Sequence, residues 1–195
     1  MRVPEIKIVA VGTVDQSVLN YLALTITSSF NVRCNSISVT VDTQDAYHLE
    51  RRQYNSTQLL AQLVELNIAD GSKVLGVAEV DLFIPILTFV FGQAQLGGRA
   101  ALISTHRLRP KFYGLPEDQK LFYSRCEKEA NHELGHTRGL MHCRRYDCVM
   151  HTSHSVEQVD LKRSSFCATC DALVRQADGP SREEKVGLKL TTLRG

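Results

Sequence analysis

Hydrophobic periodicity divides the first part of the chain into strands and helices. The run IKIVAVG at residues 6–12 is rich in β-branched residues and ends on glycine, which predicts a buried strand. Residues 31–41 alternate between polar and apolar positions and predict a second strand with one buried face. Two helices are predicted, one capped by Asp15 and one starting at Ser56. Their apolar faces consist of Val18, Leu19, Leu22 and Ile26, and of Leu59, Leu60, Leu63, Val64 and Leu66.

The middle of the chain has the pattern of further strands. Asp70-Gly71 is a turn signal, and residues 73–80 follow it as a strand. Residues 88–95 and 99–108 are two more strand-like runs. Because little more than Gly97-Gly98 separates them, they are expected to pair as a hairpin.

A long helix is expected after these strands. Pro116 at its start and Glu117 and Asp118 in its first turn suit the positive end of a helix dipole. Its periodicity continues to about Gly139, and residues 173–175 indicate a short final helix.

This order of elements predicts an α/β (α+β) fold with helices packed on a mixed sheet. One domain is expected over residues 1–176, with residues 177–195, which are polar, as a flexible tail. Within the domain, residues 1–139 form a sheet-and-helix part and residues 140–176 a part rich in histidine and cysteine.

Composition excludes several classes of protein. The chain has 195 residues, 43% hydrophobic and 23% charged, with a net charge of +2, so disorder and a nucleic-acid partner are both disfavoured. Pro85 and Thr88 interrupt the longest apolar run, which therefore cannot cross a bilayer. Because no secretory signal pattern is visible, a cytoplasmic protein is expected, and its six cysteines favour metal or thiol chemistry over disulfides.

Three histidines have the spacing of a catalytic zinc site. In the sequence HELGHTRGLMH, His132 and His136 are four residues apart, so a helix presents both on one face. Gly139 can end the helix sharply, and the chain can then bring His142 to the same ion. Glu133 is placed to reach a water on that ion rather than the ion itself. Chance gives this pattern in only about 3 of 100,000 such sequences, so a catalytic zinc with an open fourth position is predicted.

Four cysteines follow in two close pairs, with four residues between Cys143 and Cys148 and two between Cys167 and Cys170. This spacing matches a closed tetrahedral zinc site. Two reduced pairs in the core, or a redox-active CxxC, are the alternatives. Cys34 and Cys126 have no such partners and are interpreted as small buried residues. His151 and His154 are interpreted as loop residues, since both ligand sets are complete without them.

The run HELGHTRGLMHCRRYDCVM, followed by FCATC, resembles the archaemetzincins, a branch of the metzincin zinc peptidases. The resemblance in motifs covers residues 129–170 and implies a metzincin-like twisted mixed sheet. It implies that the three histidines hold a catalytic zinc, that Glu133 is the general base, and that the four cysteines hold a second, structural zinc. Met150 would be the methionine of the turn beneath the site.

This resemblance implies a zinc metallopeptidase in which Glu133 takes a proton from a zinc-bound water as that water attacks a peptide carbonyl. Residues 88–95 correspond to the metzincin edge strand, where Gly92, Gln93 and Ala94 would bind an extended peptide. An ordinary strand with a small-residue bulge is the alternative.

Two other functions compete with this interpretation. A zinc-stabilised binding or adaptor protein would have no need for Glu133 beside its first ligand. A zinc ribbon that contacts nucleic acid is disfavoured by the near-neutral charge. The expected partner is therefore a peptide or protein substrate, with neither nucleic acid nor membrane, while the sequence leaves the oligomeric state open.

Overall fold

The computed structural model of the protein describes residues 5–68 and 71–177. Of the predicted Asp70-Gly71 turn only Gly71 is described, with φ of 83°. The predicted tail lies outside the described residues except for Ala177. The strands are β1 Glu5–Val11, β2 Arg33–Val41, β3 Tyr47–His48, β4 Gln53–Asn55, β5 Lys73–Ala78, β6 Leu82–Phe83, β7 Gly92–Ala94 and β8 Ala100–Ser104. The α-helices are α1 Gln16–Phe30, α2 Ser56–Glu65, α3 Gln119–Thr137, α4 Val156–Leu161 and α5 Ala168–Ala177.

The main sheet is mixed, as predicted, and has the strand order β2-β1-β5-β8-β7. The first four of these strands are parallel to one another, and β7 runs antiparallel to β8 at one edge. The predicted hairpin is therefore confirmed. A second sheet, of order β3-β4-β6, was not predicted because its strands are only two or three residues long.

Both faces of the main sheet are buried, as is usual for parallel strands. Ile6 and Ile8 of β1 belong to a core that includes apolar residues of α1 and α3. Val9 and Val11 of the same strand belong to a second core that includes residues of α2. The sequence prediction of a buried first strand is thus confirmed, and α3 is fixed on one face of the sheet.

Helix α3 begins later than predicted. Asp118 has an extended backbone and accepts a hydrogen bond from the Leu121 N–H at 2.9 Å, so it is the N-cap rather than a residue of the first turn. Pro116 and Glu117 consequently lie before the helix. The helix ends at Thr137, and Gly139 follows with φ of 84°, in agreement with the predicted sharp stop.

The two strand predictions before α3 were too long. Residues 88–91 form a loop in which Val90 makes only an isolated bridge to Leu82, and regular pairing starts at Gly92. The strand predicted to reach Leu108 ends at Ser104 and continues as a 3-10 turn. The final helix, conversely, is longer than predicted, and the short helix α4 was missed.

None of the helices in the described ranges combines the length and apolar character needed to span a membrane.

Candidate metal sites and active-site cleft

The three predicted histidines lie together at the end of α3. His132 and His136 project from the helix, and the turn at Gly139 returns the chain toward them. The turn is closed by hydrogen bonds from the Gly139 and Leu140 N–H groups to the His136 and Gly135 carbonyls. One nitrogen of each ring of His132, His136 and His142 lies within 4.8 Å of the other two.

Two of these rings are oriented by backbone carbonyls. His132 Nδ1 lies 2.8 Å from the Val149 oxygen, and His136 Nδ1 lies 2.7 Å from the Leu140 oxygen. Because a carbonyl can only accept, both Nδ1 atoms carry the proton and both Nε2 atoms are free to bind metal. The two Nε2 atoms are 3.1 Å apart, close to the separation of about 3.3 Å that two ligands at 2.0–2.1 Å make in a tetrahedral zinc site.

The electrostatics of the histidines also favour metal binding. Burial lowers the pKa of His132 well below its ordinary value and lowers the pKa of His136 and of His142 as well. A depressed pKa keeps the imidazole neutral, which is the form that binds a metal. The three residues therefore fit a zinc ion.

Glu133 is buried beside this cluster and faces the edge strand. Burial raises the pKa of its carboxyl well above the ordinary value; Glu129 raises it further, and Lys162 opposes the shift. Gly92 of β7 packs directly on the carboxyl group, since a Cβ there would lie 2.7 Å from Glu133 Oε1. The lack of a side chain at Gly92 thus makes room for Glu133. This explanation for a glycine at position 92 could not be seen in the sequence.

The other two predicted edge-strand residues have different surroundings. The Gln93 side chain contacts α2, where its Oε1 accepts a hydrogen bond from Ser56 Oγ at 2.6 Å. Ala94 is half-buried next to it. Strand β7 is at the edge of the main sheet, in the place where an edge strand was predicted.

Met150 is fully buried against the helix that carries the histidines. A Cβ at Gly135 would overlap its sulfur atom and come within 3.2 Å of the Phe166 ring. The absence of a side chain in the middle of the HELGH sequence therefore lets the turn at Met150 approach α3.

We expect Gly135→Ala to destabilise the protein by about 1–3 kcal/mol, because overpacking outweighs the gain of about 1 kcal/mol in helix propensity. Thermal unfolding of the variant measures this effect. The double variant Gly135→Ala/Met150→Ala is the control, since a smaller residue at position 150 relieves the overlap. Its loss of stability should therefore be smaller than the sum of the losses in the two single variants. A single variant as stable as the parent would show that the turn yields without strain.

The four predicted cysteines form a second cluster. One sulfur atom from each of Cys143, Cys148, Cys167 and Cys170 lies within 4.8 Å of the others. The Cys143 and Cys167 sulfurs are 3.9 Å apart, close to the separation of about 3.8 Å expected for thiolates 2.3 Å from a tetrahedral zinc. Hydrogen bonding, chiefly from the backbone of Cys170, lowers the pKa of Cys167 to about 7, which favours the thiolate. This set also fits zinc.

The remaining two cysteines are separate from both clusters. Cys126 is fully buried in α3, and Cys34 is half-buried in β2. Burial raises the pKa of Cys34 to about 12 and also raises that of Cys126. Both thiols are therefore protonated, as expected for small core residues.

A cavity of about 340 Å³ opens beside the histidines. The loop at residues 87–92 contributes one part of its lining, and residues 152–154 after Met150 contribute another. His132, Glu133 and His142 also line it, together with Glu129 and Lys162. The cavity is large enough for a substrate side chain and reaches both the metal ligands and the carboxyl of Glu133.

Glu129 and Lys162 were not predicted from the sequence. Their side chains form an ion pair with 3.0 Å between Lys162 Nζ and Glu129 Oε1, and the exposed fraction is only 1% for Lys162 and 4% for Glu129. Glu129 lies one helical turn before Glu133, a spacing that could have identified it. Lys162 has no motif around it.

Comparison with known proteins agrees with this arrangement. Residues 14–176 match the family model described as peptidase family M54. The archaemetzincin of Pyrococcus furiosus is 41% identical over 169 residues, covering 84% of this chain and 88% of that protein. The archaemetzincin of Methanocaldococcus jannaschii is 48% identical over 125 residues, covering 64% of this chain and 68% of that protein.

Two solved structures have the same fold. The Archaeoglobus fulgidus archaemetzincin, crystallised with malonate, has a TM-score of 0.75 and 35% identity, covering 87% of this chain and 99% of its own. The Methanopyrus kandleri archaemetzincin has a TM-score of 0.76 and 32% identity, covering 89% of this chain and 94% of its own. With the family match extending over most of the sequence, the chain belongs to peptidase family M54, the archaemetzincins, and is a zinc metallopeptidase.

Proposed function

We propose that the protein hydrolyses peptide bonds with Glu133 as general base, at a zinc ion held by His132, His136 and His142. The observation that carries this proposal is the convergence of the three imidazoles beside a cavity that His132, His142 and the buried carboxyl of Glu133 line. A zinc ion bound there supplies a Lewis acid, which lowers the pKa of a water molecule and polarises a peptide carbonyl.

The carboxyl of Glu133 performs the proton transfers in this proposal. It accepts a proton from the attacking water and then donates that proton to the departing amine. Its contact with Gly92 restricts where the carboxyl group can lie.

Strand β7 is the proposed binding edge for the substrate backbone. Phe91 and Gln95 make backbone hydrogen bonds to β8, through the Phe91 carbonyl and the Gln95 N–H. Since backbone groups alternate in direction along a strand, those of Gly92 and Ala94 face away from β8. An extended peptide can pair with these backbone groups.

The four cysteines are proposed to hold a second zinc with a structural role, which gives two zinc ions per chain. The ligand set is complete without water, as in closed structural sites. The family match covers residues 14–176, which supports the proposal of a single catalytic domain over residues 1–176. Residues 140–176 would then be its zinc-clamped part.

A library of internally quenched peptides tests the function directly. We expect the zinc-loaded protein to cleave part of the library, to lose activity when a chelator empties the histidine site, and to regain it with added Zn²⁺. His136→Ala, which removes one ligand from the site, is the matched variant and should be inactive under the same conditions. Saturable peptide binding without any cleavage would favour the adaptor function instead.

A further inference from the structure

The Glu129–Lys162 ion pair connects the helix of the active site to the segment behind it. Glu129 lies in α3, and Lys162 directly follows α4. Both side chains are almost fully buried, and Lys162 Nζ lies 3.0 Å from Glu129 Oε1. Burying two opposite charges costs desolvation energy that their attraction often only balances, so stability alone is a weak explanation for such a pair.

Lys162 also contacts the loop that carries the third histidine, residues 140–151, which we call the metal loop. Its Nζ lies 3.4 Å from the backbone oxygen of His151 and donates a hydrogen bond to it. His151 directly follows Met150, at the end of the metal loop. The ion pair therefore joins α3 to this end of the loop.

His151 in turn holds the backbone next to His142. Its ring Nδ1 donates to the Cys143 carbonyl at 2.9 Å, and its backbone N–H donates to the Cys148 carbonyl at the same distance. The Cys143 N–H is bonded to the Met150 carbonyl, also at 2.9 Å. A continuous polar chain thus runs from Glu129 through Lys162 and His151 to the residue after His142.

His142 needs this support more than the other two histidines do. The rings of His132 and His136 are each oriented by a backbone carbonyl at Nδ1. The ring of His142 is exposed and makes no hydrogen bond with any residue in the described part of the chain. Its ring lies beside the rings of His132 and His136, with centroid separations of 5.3 and 4.9 Å, so the backbone at Cys143 sets how it approaches them.

We propose that Glu129, Lys162 and His151 are positioning residues. They keep His142 in the place where it can share a metal ion with His132 and His136. This inference rests on the proposed histidine zinc site. Outer contacts of this kind commonly change metal affinity and activity by 10–100-fold when they are lost. Removing both charges of the ion pair should loosen His142 without unfolding the protein.

A second ion pair in the same region, buried on the α3 side and partly exposed on the α4 side, provides a control. Arg125, one turn before Glu129 on α3, binds Asp160 of α4 through two hydrogen bonds of 2.8 and 2.7 Å. Its side chain is 3% exposed, so the two pairs are similarly buried on the α3 side. Arg125 and Asp160 make no hydrogen bond to the metal loop among the described residues.

The test compares Glu129→Gln/Lys162→Met with Arg125→Met/Asp160→Asn. For the first variant we expect a melting temperature close to that of the parent, about 10–100-fold weaker Zn²⁺ binding at the histidine site, and a similar fall in kcat with little change in KM. The visible spectrum of Co²⁺ in that site should also change. The Arg125/Asp160 variant should lose at least as much thermal stability but keep the zinc affinity, cobalt spectrum and kcat.

Variants at His151 test the other end of the chain of contacts. His151→Asn retains a side-chain N–H donor for the Cys143 carbonyl, whereas His151→Leu has none, so we expect asparagine to keep more Zn²⁺ affinity than leucine. Equal losses in both His151 variants, or equal effects of the two ion-pair variants, would overturn the proposal. A parent protein that cleaves no peptide would instead contradict the proposed function, because zinc affinity and the cobalt spectrum report on His142 without catalysis.

Discussion

Replacing Glu133 with glutamine is expected to lower kcat for peptide hydrolysis by about 10²–10⁴-fold, because an amide cannot accept the proton of the attacking water. Glutamine has nearly the same shape as glutamate and fits the space that Gly92 leaves beside the side chain. Steady-state kinetics on a peptide identified from the library measures the change, with kcat and KM determined separately.

Metal content should not change in this variant, and stability should not fall. The ligand atoms belong to the three histidines, and a neutral amide carries none of the desolvation cost of a buried carboxylate. Glu133→Asp is the matched control, since it keeps the carboxyl group on a side chain that is one methylene shorter. This variant should retain intermediate activity. Normal turnover in the glutamine variant would assign the base to another group, and loss of zinc would assign Glu133 a structural role.

Most of the candidate site could be predicted from sequence because it is encoded locally. His132, Glu133 and His136 lie on one helix, where a spacing of four residues fixes which side chains meet. Gly139 identifies the end of that helix, and His142 follows within three residues. The four cysteines were equally predictable, since two close pairs of thiols separated by a loop are typical of zinc sites.

The parts that sequence did not predict depend on contacts between distant residues. Residues 88–91 have strand-like composition, yet the Arg51 side chain bonds to the Leu87 and Thr88 carbonyls at 2.7 and 3.1 Å and holds the loop there. No local feature of the sequence near residue 88 indicates a bond to an arginine 37 positions earlier. A β-rich composition therefore predicted a longer strand than the tertiary contacts allow.

The small elements and buried charges were missed for related reasons. Helix α4 has six residues, of which only Val156 and Val159 are buried, too few to establish a period. Lys162 looks like an ordinary surface lysine until Glu129 is placed opposite it. At Gly92 the sequence predicts space for a substrate, whereas the neighbour of this glycine in the fold is Glu133.

Replacing Cys167 and Cys170 with serine is expected to remove the second zinc and to lower the free energy of unfolding by about 3 kcal/mol or more. The ligands of such a site are not arranged in the unfolded chain, so zinc binding contributes directly to folding. A loss of this size corresponds to a fall of about 10 °C in melting temperature for a chain of this length. Metal analysis and thermal unfolding measure the two effects.

The same variant should also lose activity, although Glu133 and all three histidines remain. Cys143 directly follows His142, and its N–H is bonded to the Met150 carbonyl, while the Val149 carbonyl orients His132. Hydrogen exchange should therefore increase across residues 140–170. Cys34→Ser, at a half-buried thiol outside both clusters, is the control and should retain both metals. If the double variant lost its zinc but kept the parent's melting temperature and turnover, the cysteines would not support His142, and their role would instead be redox control or partner binding.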